Sequence, residues 1–172
     1  KLVYIENYVR QSGRIWDLQI EISMALIYFK EKNLKKVYDS IGKSFGDIGN
    51  LKKYAKEIKK DINSAVKKSE AAKEKIPKGY FVEINPHFST NSIISSIISQ
   101  RDIHKTWVII KPESDFYRIS VRRQDGKEDC DGFMKKLLFG LKNADGGGHI
   151  YAGGGHFMKN DLQEVRRRLG LK

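Results

Sequence analysis

The side chains that grip phosphate are guanidinium, hydroxyl and imidazole, together with backbone amides that no Cβ shields. This sequence gathers all four in its C-terminal third. Gly146-Gly147-Gly148-His149 is followed at once by Ile150-Tyr151-Ala152-Gly153-Gly154-Gly155-His156, so six of the chain's 15 glycines fall within eleven residues. Glycine loses more backbone entropy on folding than any other residue, so this density implies a segment that approaches something closely or takes positive φ angles. Gly146, Gly147 and Gly148 can turn N–H groups toward an anion, and His149 can donate a ring N–H or stack on a base. Ser120 and Arg122 are two residues apart, which on a strand puts both on one face as a second grip on a phosphate chain. Arg118 shares that face and adds a further phosphate contact. His156 lies outside the run and reads as a structural or surface residue. Arg166, Arg167 and Arg168 read as solvated, because three successive helical residues point in different directions.

The elements that must position these groups follow from periodicity. Residues 15–32 step by three and four through Ile15, Leu18, Ile22, Leu26 and Phe29, a helix; a second short helix carries Leu34, Val37, Tyr38 and Ile41. Leu51, Ala55, Ile58, Ile62, Ala65, Ser69, Ala72 and Ile76 continue such steps without a break. This predicts one helix over residues 51–76 with a narrow seam, for a coiled-coil dimer or for packing across its own chain. Pro77-Lys78-Gly79 stops it and marks the domain boundary. Beyond it come a strand at residues 81–84, a helix at 89–99 capped by Ser89 or Thr90, and a buried strand at 107–110. An alternating strand follows at 116–123, then a helix from an Asp131 cap to Leu141. After the glycine segment come a short strand at 157–158 and a closing helix at 161–169. The predicted fold class is α/β: a helical linker segment over residues 1–79, then a small α/β domain over 80–172 with a mixed sheet and a Gly-rich loop.

Composition narrows the partners. Thirty-three Lys and Arg against 21 Asp and Glu give a net charge of +12, which favours polyanions by attraction and counterion release. Residues 30–79 hold 15 lysines, 7 acidic groups and no arginine, the pattern of a solvated lysine-rich face. The longest apolar run, Met24 to Phe29, is too short to span a bilayer, so no membrane partner is expected. No secretory leader is evident and Cys130 is alone, which fits a reducing cytoplasm. The chain opens on Lys1 rather than Met and reads as a fragment of a longer protein.

Gly146-Gly147-Gly148-His149-x-x-Ala152-Gly153-Gly154 resembles the Gly-Gly-Gly-His-x-x-Ala-Ala-Gly signature of the DHH-associated domain. That domain is the C-terminal substrate-binding partner in DHH-family phosphoesterases, among them RecJ-type single-strand exonucleases and oligoribonucleases. Ser120-Val121-Arg122 is similar to the family's Ser-x-Arg, and the order of elements after Tyr80 agrees. The long helix before it resembles the linker between the two lobes of RecJ-like enzymes. Gly153 departs from the second alanine, which implies a looser loop. The resemblance implies that Gly146, Gly147, Gly148, His149, Ser120 and Arg122 hold nucleotide phosphates or terminal bases. It also implies a catalytic lobe carrying two metal ions, Mn2+ or Mg2+, on aspartates and histidines that include an Asp-His-His triplet. This sequence has no such triplet, and its four histidines (87, 104, 149 and 156) include no adjacent pair. The chain alone is therefore expected to hold no metal and to bind single-stranded nucleic acid or short oligonucleotides without cleaving them. Its expected partners are that catalytic lobe, and replication or repair proteins or a second copy meeting helix 51–76. Two alternatives are a non-catalytic interaction subunit of a replication or repair assembly, and an RNA-binding appendage of the kind found with alanyl-tRNA synthetases. The histidine after the glycines favours the phosphoesterase branch.

Overall fold

Alternation in steps of two builds a six-stranded sheet. In the computed structural model, which describes residues 14–29, 34–41 and 51–172, the strands are β1 (Glu74–Ile76), β2 (Gly79–Glu83), β3 (Thr106–Pro112), β4 (Phe116–Arg122), β5 (Asp145–His149) and β6 (Ala152–Met158). The helices among the described residues are α1 (Arg14–Phe29), α2 (Leu34–Ile41), α3 (Lys52–Ala72), α4 (Asn91–Gln100), α5 (Cys130–Leu138) and α6 (Leu162–Arg168). Strand order is β1-β2-β3-β4-β6-β5. Only the β2–β3 pairing is parallel, crossed over by α4, so the sheet is mixed. This is the expected α/β architecture, with helices first and the sheet after them.

The chain divides into two compact units. One runs to Asn63 and includes His87–Ser89; the other comprises Ser64–Pro86 and Thr90–Lys172. In the first, Ala25, Val37 and Leu51 are buried, with Ile22, Phe29 and Tyr54 against them. Asp61 accepts from the backbone N–H groups of His87 and Phe88, which ties that short segment to α3.

Helix α3 stops four residues earlier than the stripe predicts. Ile76 fits the helical repeat, yet Glu74–Ile76 pairs antiparallel with β2 through the Pro77-Lys78 turn, and Ile76 enters the core under the sheet. Proline at 77 removes the donor and the αR conformation that a further turn of helix needs at residue 76. The seam itself is covered: Leu51, Ala55, Ile58, Ile62, Ala65 and Ser69 are all buried. Ala72, the last helical residue of the stripe, is exposed.

In the second unit, Val108, Ile110, Ile119 and Val121 point to one face and form the core with Cys130, Met134, Leu137, Leu138 and Val165 from α5 and α6. Trp107 and Ile109 point to the other face, where α4 contacts β3 and β4. Two of the C-terminal arginines, Arg166 and Arg168, are structural pins rather than solvated charges, while Arg167 stays exposed. Arg166 forks onto Glu74 with Nη1–Oε1 2.7 Å and Nη2–Oε2 2.8 Å. Arg168 Nη1 donates to the carbonyls of Leu137 and Phe139 at the end of α5, at 2.8 and 2.7 Å, replacing partners that a helix C-terminus lacks. Arg167 pairs with Glu164 one turn back.

Candidate functional site

The glycine-rich segment is not an open loop. It forms two antiparallel strands, β5 and β6, joined by Ile150-Tyr151, and none of its glycines takes a positive φ, which falls instead at Gly126, Gly140 and Gly170. Close approach explains most of the cluster: for Gly146, Gly147 and Gly153 the approaching partner is helix α5, and for Gly148 and Gly155 it is the backbone of the facing strand of the hairpin. A Cβ on Gly146 would lie 2.8 Å from Met134 Cγ, and one on Gly153 would lie 2.9 Å from the Cys130 carbonyl oxygen. Gly153 is therefore required where the signature carries alanine, so that α5 can lie tight on the hairpin. Gly154 is different: a Cβ there would meet nothing within 4 Å, and the residue is exposed.

Helix α5 begins one residue before the expected Asp131 cap. The cap is Asp129, whose side chain accepts from Asp131 N–H at 3.1 Å. This frees the Asp131 carboxylate to accept from Gly148 N–H at 2.8 Å and from Lys135 Nζ at 2.7 Å. Lys135, and then the Gly148 amide, hold Asp131 below the usual carboxylate range. One amide of the glycine triplet is thus occupied within the chain, and the missing Cβ of Gly148 makes room for the backbone of Ala152 and Gly153 on β6.

Sheet register brings the other predicted residues together in rows. Ser120 pairs with Gly154, and Gly154 with Gly147; Arg122 pairs with Ala152, and Ala152 with His149; Arg118 pairs with His156, and His156 with Asp145. Along β4, Ile119 and Val121 are buried while Arg118, Ser120 and Arg122 are more exposed, so these three leave by the face opposite the core. His149, at the end of β5, is exposed, and its Nδ1 accepts from Tyr151 N–H at 3.4 Å. A neutral ring in that arrangement carries its proton on Nε2 and presents it as a donor.

Arg122 carries the clearest electrostatic signal. Its Nη1 donates to the carbonyls of Val121 and Gly153, both at 3.1 Å, and its other donors have no partner among the described residues. Burial pulls its pKa below the ordinary arginine value, although it stays charged. Every other described arginine of this unit faces a carboxylate: Arg101 Glu70, Arg118 Glu113, Arg123 Asp125, Arg166 Glu74, and Arg167 and Arg168 Glu164. A half-buried guanidinium anchored on carbonyls and lacking a counter-charge is poised for an external anion. Beneath it the Cys130 thiol is buried and pushed up to about 11 by desolvation, so it is no nucleophile at neutral pH.

The capping role of Asp129 was missed in the sequence, whereas His156 is exposed, as its reading as a surface residue expects. Among the described residues, no three His, Cys, Asp or Glu side chains converge as metal ligands, and no helix is long and apolar enough to cross a membrane.

The fold is shared with known structures. RecJ with Mn2+ from Thermus thermophilus aligns over 87% of this chain and 22% of its own, at TM-score 0.62 and 13% identity. A DHH domain described as belonging to a family of ribosomal proteins aligns over 95% and 44%, at TM-score 0.60 and 17% identity. The pGpG-specific phosphodiesterase PggH from Vibrio cholerae aligns over 79% and 47%, at TM-score 0.51 and 11% identity. This chain thus spans less than half the length of each of these. No family model matches the chain, and no curated protein matches it by sequence. At these identities the likeness establishes the fold: the chain has the RecJ-like fold of DHH-family proteins.

Proposed function

We propose that this chain is the substrate-binding portion of a RecJ-like, DHH-family phosphoesterase, holding single-stranded oligonucleotides by their phosphates for a separate catalytic lobe that carries Mn2+ or Mg2+. The observation that supports it most is Arg122, the one described arginine of its unit without a carboxylate. It lies in a row with His149 and beside the row of Ser120, Gly154 and Gly147. In this reading Arg122 takes the phosphate by two charge-assisted hydrogen bonds, Ser120 supplies a hydroxyl and His149 a ring N–H. The glycines keep side chains out of the ligand's path. The fold neighbours agree with this reading: RecJ was solved with metal, and PggH is described as a phosphodiesterase. Residues 1–79 serve as the interlobe linker and 80–172 as the binding domain.

The test is fluorescence anisotropy with a labelled single-stranded DNA. Arg122→Met is expected to weaken binding by at least about a hundredfold, the worth of two charge-assisted hydrogen bonds at about 1.5–3 kcal/mol each, and His149→Ala by less. Because Arg122 has no counter-charge to strand, the melting temperature of Arg122→Met is expected to hold or rise. Affinity unchanged in both variants at moderate salt would reduce the interaction to lysine attraction and overturn the reading.

A further inference from the structure

The face that carries Ser120 and Arg122, against which α4 packs at β3 and β4, continues past the glycine signature to residues that are exposed on β4, β5 and β6. Two residues of strand advance about 6.8 Å. The row Arg118–His156–Asp145 therefore lies one such step beyond Ser120–Gly154–Gly147 and two, about 14 Å, beyond Arg122–Ala152–His149. That distance is the reach of a dinucleotide-to-trinucleotide step in an extended single strand. Gly154, with open space where a Cβ would be, is the floor between the outer rows.

The far row carries groups for both halves of a nucleotide. The Phe116 ring, at the start of β4, meets the His156 ring edge-on at 5.8 Å and 72°, and the Arg118 guanidinium carbon lies 5.9 Å from its centroid. His156 is exposed, and the Arg118 side chain keeps 62% of its surface. Glu113 orients Arg118 through Nε at 3.2 Å, which leaves the Nη groups for a ligand, and it is also shared with Lys111 at 2.9 Å. Two cations on one carboxylate leave this end of the row positive. Asp145 closes the other end with an exposed carboxylate that repels phosphate.

We propose that Phe116, Arg118 and His156 form a second nucleotide subsite, with the phosphate on Arg118 and the base stacked on the His156 and Phe116 rings. The proposal rests on the reading of Arg122 and His149 as the first subsite, and it makes the ligand an oligonucleotide rather than a mononucleotide. Aromatic and imidazole surfaces stack any base, so the subsite selects for length and not for sequence.

The test is a length series of single-stranded thymidylates (mono-, di- and tetranucleotide) competing against a labelled tetranucleotide for the 172-residue chain. Affinity is expected to rise at least about tenfold from mono- to tetranucleotide. His156→Ala and Phe116→Leu should each cost the tetranucleotide about tenfold, in the range that one stacked base contributes. Both should leave the mononucleotide within about twofold, and His156→Phe should restore tetranucleotide binding. His156 is exposed, so its variants test the point even if Phe116→Leu melts early. Tetranucleotide affinity unchanged in His156→Ala, or lost equally for the mononucleotide, overturns the second subsite. Failure of Arg122→Met to weaken any length is a separate result, and it removes the first subsite as well.

Discussion

Gly153 and Gly154 are neighbours on one strand, and a single methyl group should act on them in opposite senses. At Gly153 the added Cβ would stand 2.9 Å from the Cys130 carbonyl oxygen and 3.4 Å from Met134 Cβ. The nearer obstacle is backbone in the first turn of α5, so relief requires moving the helix off the hairpin. Overpacking of this kind costs about 1–3 kcal/mol. The reduced entropy of the unfolded alanine chain returns about 0.4–1 kcal/mol. The net loss for Gly153→Ala is about 0.5–2 kcal/mol, a fall of roughly 1–8 °C in a chain of this size. At Gly154 the methyl meets nothing, so only the entropic gain remains, and Gly154→Ala should melt at the same temperature or a few degrees higher. Ligand binding should divide the other way. A methyl on Gly154 stands in open space between the rows and should weaken oligonucleotide affinity by about tenfold, about 1.4 kcal/mol. Gly153→Ala, pointing into the protein, should bind within about threefold of the parent below its melting temperature. Circular dichroism melts and anisotropy titrations measure both effects. The reasoning fails if Gly154→Ala binds like the parent, or if it is the less stable of the two.

Two further outcomes follow from the pins at the other end of the sheet. Arg168→Ala removes the donors to the Leu137 and Phe139 carbonyls and the contact with Glu164. It should cost about 1–2 kcal/mol in a denaturant titration and leave oligonucleotide affinity within twofold. Glu74 is held below its ordinary 4.5 by its hydrogen bonds to Arg166. Its folded pKa is the lower one, so the stability it adds is present above 4.5 and is lost as pH falls through the folded value. The pair is partly exposed, so about 0.5–1 kcal/mol at pH 7 is expected. Melts of the parent and Glu74→Gln should differ at pH 7 and converge as the pH falls below 4.5 and through the lowered folded value; a constant gap would refute the linkage.

Which features could be read from the sequence depended on whether their cause was local. Strand β4 was legible because Ile119 and Val121 alternate with Ser120 and Arg122, a pattern that any half-buried strand carries. Residues 74–76 were misread because Ile76 satisfies the helical step as well as it satisfies a strand, and the partner that decides, β2, lies beyond a proline. Arg166 looked solvated for a similar reason, since Glu74 is 92 residues away in the chain. The glycines announced a close approach, and the structure shows several such approaches. What local sequence leaves open is the identity of the approaching body, which for Gly146 and Gly153 is α5 and for Gly154 is open space. The uncompensated charge of Arg122 was invisible in the sequence, because it depends on where every nearby carboxylate finally points.

A run of three glycines contains no information about its own alignment: shifted by one residue, it would present the same bare surface to its neighbour. Asp131 resolves that degeneracy. Its carboxylate, fixed at the start of α5 and steadied by Lys135, accepts from the amide of Gly148 and from no other glycine of the run. The bond works as a registration mark, fixing which rung of a featureless ribbon faces which residue of β6. The placement of His149 at the end of that ribbon, in line with Arg122, is inherited from it.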